Sequence, residues 1–307
     1  MSSPTYLFVV NPISGGHDKA PLFRYIDEEV KQKGLGCHIF TTTGKDDESK
    51  LAELVEKSRP EVMVAVGGDG TLLLVAKVAK NSPIKIGLMP LGSANGMSRE
   101  LAIPKIPDIK LSLNQTERFD AAWNIIRKGH VREIDLLEIN DQHYSLHLSD
   151  IGLNAKIVKR FEAEKIRGYF GYARLLFKEL RQKKKVHYQL VADNKTYKGK
   201  AYMIVIANAT MYGTGAVINP VGKLSDGLFE ICLLRQASII TMLRALSSIF
   251  KPDLRQRKDL LQIISCRKAQ IQLRKPETLQ VDGEVIGEVS NVSVRIMPKM
   301  LKMITPN

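Results

Sequence analysis

Hydrophobic positions in the first third of the chain switch period again and again. TYLFVVNP (5–12) is a short β-branched and aromatic run closing on a turn. APLFRYIDEEVKQKG (20–34) then repeats apolar residues at helical spacing until Gly34 ends it. The same alternation continues through GCHIFTTT (36–43), DDESKLAELVEKS (46–58), EVMVAVGG (61–68), TLLLVAKVAKNS (71–82) and IKIGLMPLG (84–92). Strands separated by helices of this length predict an α/β domain built on a parallel sheet with helices on both faces. Ligands of such sheets bind beyond the carboxyl ends of the strands.

Near residue 133 the period becomes two. REIDLLEIN (132–140), QHYSLHLSDIG (142–152), HYQLVADNKTYKGKAYMIVIANAT (187–210), DGLFEICLL (226–234) and AQIQLRK (269–275) alternate and turn like antiparallel strands. The expected domains are therefore 1–132 and 133–307, with the end of the second packing back on the first. Residues 155–185 interrupt the strands with a helical stretch rich in Lys and Arg that carries Phe161, Tyr169, Phe170 and Tyr172. It suits either an anionic membrane surface or the protein's own core.

Charge sharpens this division. Residues 1–150 hold 18 Lys and Arg against 20 Asp and Glu, so the net +14 of the 307-residue chain resolves into −2 there and +16 in residues 151–307. Such asymmetry points to an anionic partner for the second half. Cys37, Cys232 and Cys266 are too few and too scattered for a disulfide framework, and no apolar run is long enough to span a membrane. A cytoplasmic protein without a transmembrane segment is expected.

The chemistry gathers around VAVGGDGT (64–71). Glycines at 67, 68 and 70 allow close backbone approach, and the N–H groups opening the next helix favour an anion, with Thr71 as its N-cap. A phosphate cradle and a merely tight strand-to-helix turn both fit. Asp69 is an odd neighbour for phosphate unless a metal or a ribose hydroxyl lies between them. Asp226-Gly227 and Asp282-Gly283 carry the strongest short hairpin signal. If the chain is extended at 282–284, Asp282 and Glu284 share a face, close enough to raise one pKa or share a metal.

GGDGT at 67–71, with VVNPISGG at 9–16, MPLGSANGMSREL at 89–101, KLSDGLFEICLL at 223–234 and VDGE at 281–284, resembles in motif and order the diacylglycerol kinase and sphingosine kinase family, bacterial lipid kinases included. The resemblance implies a phosphofructokinase-like N-terminal domain binding ATP with Mg²⁺, and a C-terminal antiparallel β-sandwich domain that binds lipid. It places Asn11, Ser14, Thr43, Gly67, Gly68, Asp69, Gly70, Thr71, Ser93 and Asn95 at the nucleotide. Asp282 becomes the general base supported by Glu284, and Asp226 a metal ligand with the carbonyls of Lys223 and Leu228. Where the family has Gly-Thr-x-Asn-Asp-Phe, this chain has GSANGM (92–97), so Gly96 and Met97 replace a carboxylate and a ring.

The implied reaction moves the γ-phosphate of ATP to the hydroxyl of a lipid alcohol at an anionic membrane surface, with no nucleic acid involved. Sphingosine kinases carry an acidic residue where IGLNAKIV (151–158) has Lys156, which favours a neutral acceptor such as diacylglycerol over a sphingoid base. A soluble NAD kinase-like enzyme and a non-catalytic lipid-binding regulator are the rival classes.

Overall fold

The computed structural model describes residues 4–16, 18–93, 95–107, 117–152, 185–212, 217–235 and 261–306. The chain divides into two compact units, Met1–Ile134 with Lys299–Asn307, and Asp135–Pro298.

In the first unit the alternation becomes β1 (Thr5–Val10), α1 (Ala20–Lys33), β2 (Gly36–Thr41), α2 (Asp47–Ser58), β3 (Val62–Gly67), α3 (Asp69–Ala79), β4 (Lys85–Pro90), α4 (Gly96–Glu100) and α5 (Asp120–Lys128). The strands lie in the order β2, β1, β3, β4, all parallel. Each is buried on both faces apart from the edge strand β2, as the continuous apolar runs require. Tyr6, Phe8, Val10, Val64 and Val66 form one core with Leu22, Tyr25 and Ile26 of α1 and Trp123 and Ile126 of α5. Leu7, Val9, Met63 and Ala65 are equally buried on the other face. Helix α1 opens with Pro21 in its first turn and stops at Gly34, whose φ of 59° permits its N–H to close on the Val30 carbonyl.

The second unit is antiparallel. Strand β5 (His130–Ile139) leads into it and is followed by β6 (His143–Ser145), β7 (Leu148–Gly152), β8 (Val186–Ala192), β9 (Lys195–Ala201), β10 (Met203–Ala207), β11 (Phe229–Leu234), β12 (Leu261–Cys266), β13 (Lys268–Val281) and β14 (Glu284–Thr305). Pairing runs β12–β11–β10–β7–β13, and β13 also pairs with β8 and β14. Its core joins Leu137, Ile151, Leu190, Ile204, Phe229, Ile231, Ile271 and Val292. All three cysteines are free thiols. Burial raises the Cys232 thiol and pushes Cys266 up to about 12, with the nearby carboxylates Asp193 and Glu230 at Cys266 and Glu230 at Cys232 pushing the same way.

Residues 299–305 return to the first unit, where Lys302 and Met303 pair in parallel with Lys85 and Ile86 of β4. The basic aromatic stretch expected to be helical lies, up to residue 184, outside the described residues. Among the described residues no helix is long and apolar enough to cross a membrane.

Candidate active site

Register brings the N-terminal motifs together. Val10 pairs with Thr41 and Val66, and Val66 pairs with Met89, so the segments after β1, β2, β3 and β4 leave the sheet in one row at its carboxyl edge. Asn11 donates its N–H to the Val66 carbonyl at 3.0 Å, and Leu91 and Gly92 donate to the Gly67 carbonyl at 2.9 and 3.0 Å.

Two glycines explain how closely these loops approach. A Cβ on Gly92 would stand 2.3 Å from the Gly68 Cα and 2.8 Å from its nitrogen; one on Gly67 would stand 2.3 Å from Thr71 Oγ1. Gly70 has open space around it, so the third glycine is not a packing requirement. Helix α3 starts at Asp69 with Gly68 as its cap, so Thr71 sits inside the first turn and is not the N-cap. Its buried hydroxyl has no partner among the described residues.

Asp69 has a defined task. Its Oδ2 accepts the Gly96 N–H at 2.7 Å and its Oδ1 the Met97 N–H at 3.0 Å, so it holds the start of α4 against the glycine loop. The chain at Gly96 thus meets Asp69 through its own N–H, and Met97 is fully buried. Asn95 (φ 50°) spends its amide locally: Oδ1 accepts the Gly92 N–H at 3.0 Å and Nδ2 donates to the Gly92 carbonyl at 2.6 Å. It is buried and shapes the loop rather than reaching outward. Ser93 is exposed.

Asn11 and Ser14 build the first loop. Asn11 Oδ1 accepts the Ile13 N–H at 3.1 Å, and Ser14 Oγ donates to the Asn11 carbonyl at 2.9 Å. Thr43 bonds Asp47 through both its N–H and its hydroxyl, anchoring α2. Sequence reasoning passed over Lys19, a buried cation that donates to the Ser14 carbonyl at 2.7 Å. Burial, then the Arg118 charge, holds its ammonium below the usual lysine range. The signal was a lysine just after a Ser-Gly-Gly loop, at the mouth of a helix.

In the second unit, Asp282 and Gly283 are the two residues of the β13–β14 turn, with Val281 paired to Glu284 and φ values of 46° and 94°. The chain reverses there, so Asp282 and Glu284 do not share a strand face. Glu284 is exposed and Asp282 takes its support elsewhere. Oδ1 accepts Ser145 Oγ at 2.6 Å and the N–H groups of His147 and Leu148 at 3.2 and 3.1 Å; Oδ2 accepts the Leu146 N–H at 2.7 Å. Burial raises the Asp282 carboxyl above the usual range, against the pull of Ser145, His147 and the backbone donors. None of these partners was legible in VDGE.

A fully buried carboxylate lies on β7, whereas Asp282 is half-buried. Asp150 Oδ2 accepts Gln280 Nε2 at 2.6 Å and Tyr212 Oη at 3.3 Å, while Gln280 Oε1 takes the Gly283 N–H at 2.5 Å. Asp226 is exposed, at the end of the long 208–228 connection between the paired strands β10 and β11 rather than in a two-residue hairpin turn, and its Oδ1 accepts the Leu228 N–H at 3.1 Å. Lys223 is also exposed. Among the described residues no three His, Cys, Asp or Glu side chains cluster as a metal site. One outward carboxylate beside loop carbonyls still suits Mg²⁺, which takes few protein ligands and keeps its water.

A parallel α/β unit with glycine loops at its carboxyl edge, followed in the chain by an antiparallel β unit, is the architecture that the resemblance to the lipid kinase family implies. The chain belongs to that family: residues 5–139 match the diacylglycerol kinase catalytic domain, and residues 149–305 the YegS C-terminal NAD kinase beta sandwich-like domain. Among its relatives, "Probable lipid kinase YegS-like" of Yersinia enterocolitica is 23% identical over 99% of this chain and 97% of its own. "Probable lipid kinase YegS" of Salmonella arizonae is 25% identical over 99% and 96%. A solved structure of a diacylglycerol kinase from Bacillus anthracis str. Sterne shares the fold with a TM-score of 0.71 at 16% identity, covering 99% of this chain and 98% of that one.

Proposed function

We propose that the protein transfers the γ-phosphate of ATP to the hydroxyl of a neutral lipid alcohol, with diacylglycerol as the leading acceptor. The observation carrying this is the gathering of four loops at one sheet edge, with the Gly68 and Gly92 backbones in contact and the Lys19 ammonium on the Ser14 carbonyl of the first loop. The N-terminus of α3 and Lys19 receive the phosphates, where backbone N–H groups and a cation suit spread negative charge. Asn11, Ser14, Thr43, Ser93 and Asn95 give the loops their form at the nucleotide. Asp226 and the carbonyls of Lys223 and Leu228 would hold a structural Mg²⁺ that supplies local order, while the Mg²⁺ that enters with ATP would supply charge neutralisation.

Asp282 accepts the proton of the lipid hydroxyl. Its Oδ2 has a single donor and a remaining lone pair, and its raised pKa makes it a better base than a surface carboxylate. The preference for a neutral acceptor rests on Lys156, which stands where sphingosine kinases carry an acidic residue. Incubation with labelled ATP and a panel of diacylglycerol, sphingosine, NAD and soluble sugars tests the reading. Label in phosphatidic acid is expected; label in NAD or sugar alone, or none at all, overturns it.

A further inference from the structure

The exposed face of the β9–β8–β13 ribbon carries a patch of unbalanced positive charge. Val186, Tyr188, Leu190 and Ala192 of β8 are buried, so Lys185, His187, Gln189 and Val191 face outward. Lys200 lies opposite His187 and Lys198 opposite Gln189 across the β8–β9 pair; Gln272 of β13 lies opposite Gln189 on the other side. Two residues along the same face comes Arg274, followed by Lys275, and all four of Lys198, Lys200, Arg274 and Lys275 are exposed.

Among the described residues Lys198, Lys200, Arg274 and Lys275 make no ion pair. Burial, and then the charges of Lys200, Arg274 and Lys275, holds the His187 imidazole below its ordinary value. The opposite end of the same sheet is balanced: Glu138, Asp141 and Asp193 meet Lys268 and Arg295 around a groove of about 310 Å³, with Arg295 bonded to Glu138.

We propose that the face formed by Lys185, His187, Lys198, Lys200, Arg274 and Lys275 docks the protein on an anionic bilayer. A sheet face presents its cations in one plane, as a layer of headgroups presents its phosphates. Single-stranded nucleic acid requires free aromatic platforms, whereas Tyr202 on this face is covered by the Lys185 ammonium at 5.0 Å from its ring centroid. The inference rests on the lipid kinase reading for its choice of occupant.

The test is sedimentation of the full chain with phosphatidylglycerol-containing vesicles at low salt, which needs no catalysis. Neutralising Lys198, Lys200 and Arg274 together as Gln should weaken binding on the order of a hundredfold, at about fivefold for each cation near the surface. A control with Lys57→Gln, Lys105→Gln and Lys128→Gln, the same change in net charge on the first unit, should weaken it less than about threefold. Binding of the face variant within threefold of the parent, or equal losses in face and control variants, overturns the proposal. So does a parent that ignores vesicles and binds single-stranded oligonucleotides through this face. An inactive protein that still binds vesicles face-dependently keeps this inference and sinks only the kinase reading.

Discussion

Asn in place of Asp282 separates the two duties of this carboxylate. The amide oxygen can take the Oδ1 position and keep Ser145 Oγ, His147 N–H and Leu148 N–H, but Nδ2 must then face the Leu146 N–H, which now lies 2.7 Å from an acceptor. One buried donor loses its partner and three bonds lose their charge, partly offset because no anion is buried. A net loss of about 2 kcal/mol in urea unfolding is expected, and Asp282→Ala, which orphans all four donors, should lose about twice that. If Asp282 is the base, kcat falls by roughly 10² to 10⁴. Ser145→Ala divides proton acceptance from loop position. It should cost about 1 kcal/mol and leave plateau kcat near the parent's. It should also move the acid limb of kcat against pH upward, because it removes a donor that holds the carboxyl down. A limb above the usual carboxylate range is expected in the parent, with activity lost as pH falls and Asp282 takes up a proton. An Asp282→Asn protein as stable as the parent refutes the four-donor geometry. Plateau kcat falling as far in Ser145→Ala as in Asp282→Asn refutes the base.

Gly92→Ala drives a methyl into the Gly68 backbone and should cost about 1–3 kcal/mol along with most nucleotide affinity, while Gly70→Ala should leave stability near the parent value; thermal melts and nucleotide titration compare them. Asp69→Ala frees the Gly96 and Met97 N–H groups and should destabilise the metal-free, nucleotide-free protein by about 3 kcal/mol; a loss seen only with Mg-ATP present would contradict its role as an anchor. Vesicle binding should strengthen as pH falls below His187's ordinary titration range, because protonation adds a cation to the face, and His187→Gln should reduce that gain. A raised folded-state pKa also means that Asp282's contribution to stability increases as pH falls, the reverse of a salt-bridged Asp, and the Asp282→Asn protein should lose that increment in urea titrations at several pH values.

The periods in the first unit were legible because each strand and helix is decided within its own residues. Gly34 and the Asp282-Gly283 turn were legible for the same reason, since backbone geometry is a local demand. The role of Asp69 was not: its partners stand 27 and 28 residues away, and nothing in GGDGT names them. Asp282 receives its donors from more than a hundred residues upstream. Thr71 was misplaced as a cap because Gly68 ends the strand and starts the helix without side-chain help. Strand β14 went unread, its alternation broken by Pro298 and by Lys299 at φ 55°.

The strand that closes the first unit is synthesised after the whole of the second. Until residues 299–305 emerge from the ribosome, β4 has β3 on one side of Lys85 and Ile86 and nothing on the other, and the sites that Leu301, Met303 and Ile304 will fill stay open. At ordinary elongation rates that interval is on the order of ten seconds, long on the scale of aggregation through a bare strand edge. A nascent chain of this architecture therefore carries a half-finished nucleotide domain for most of its translation. A fragment ending near residue 134 would keep it in that condition permanently.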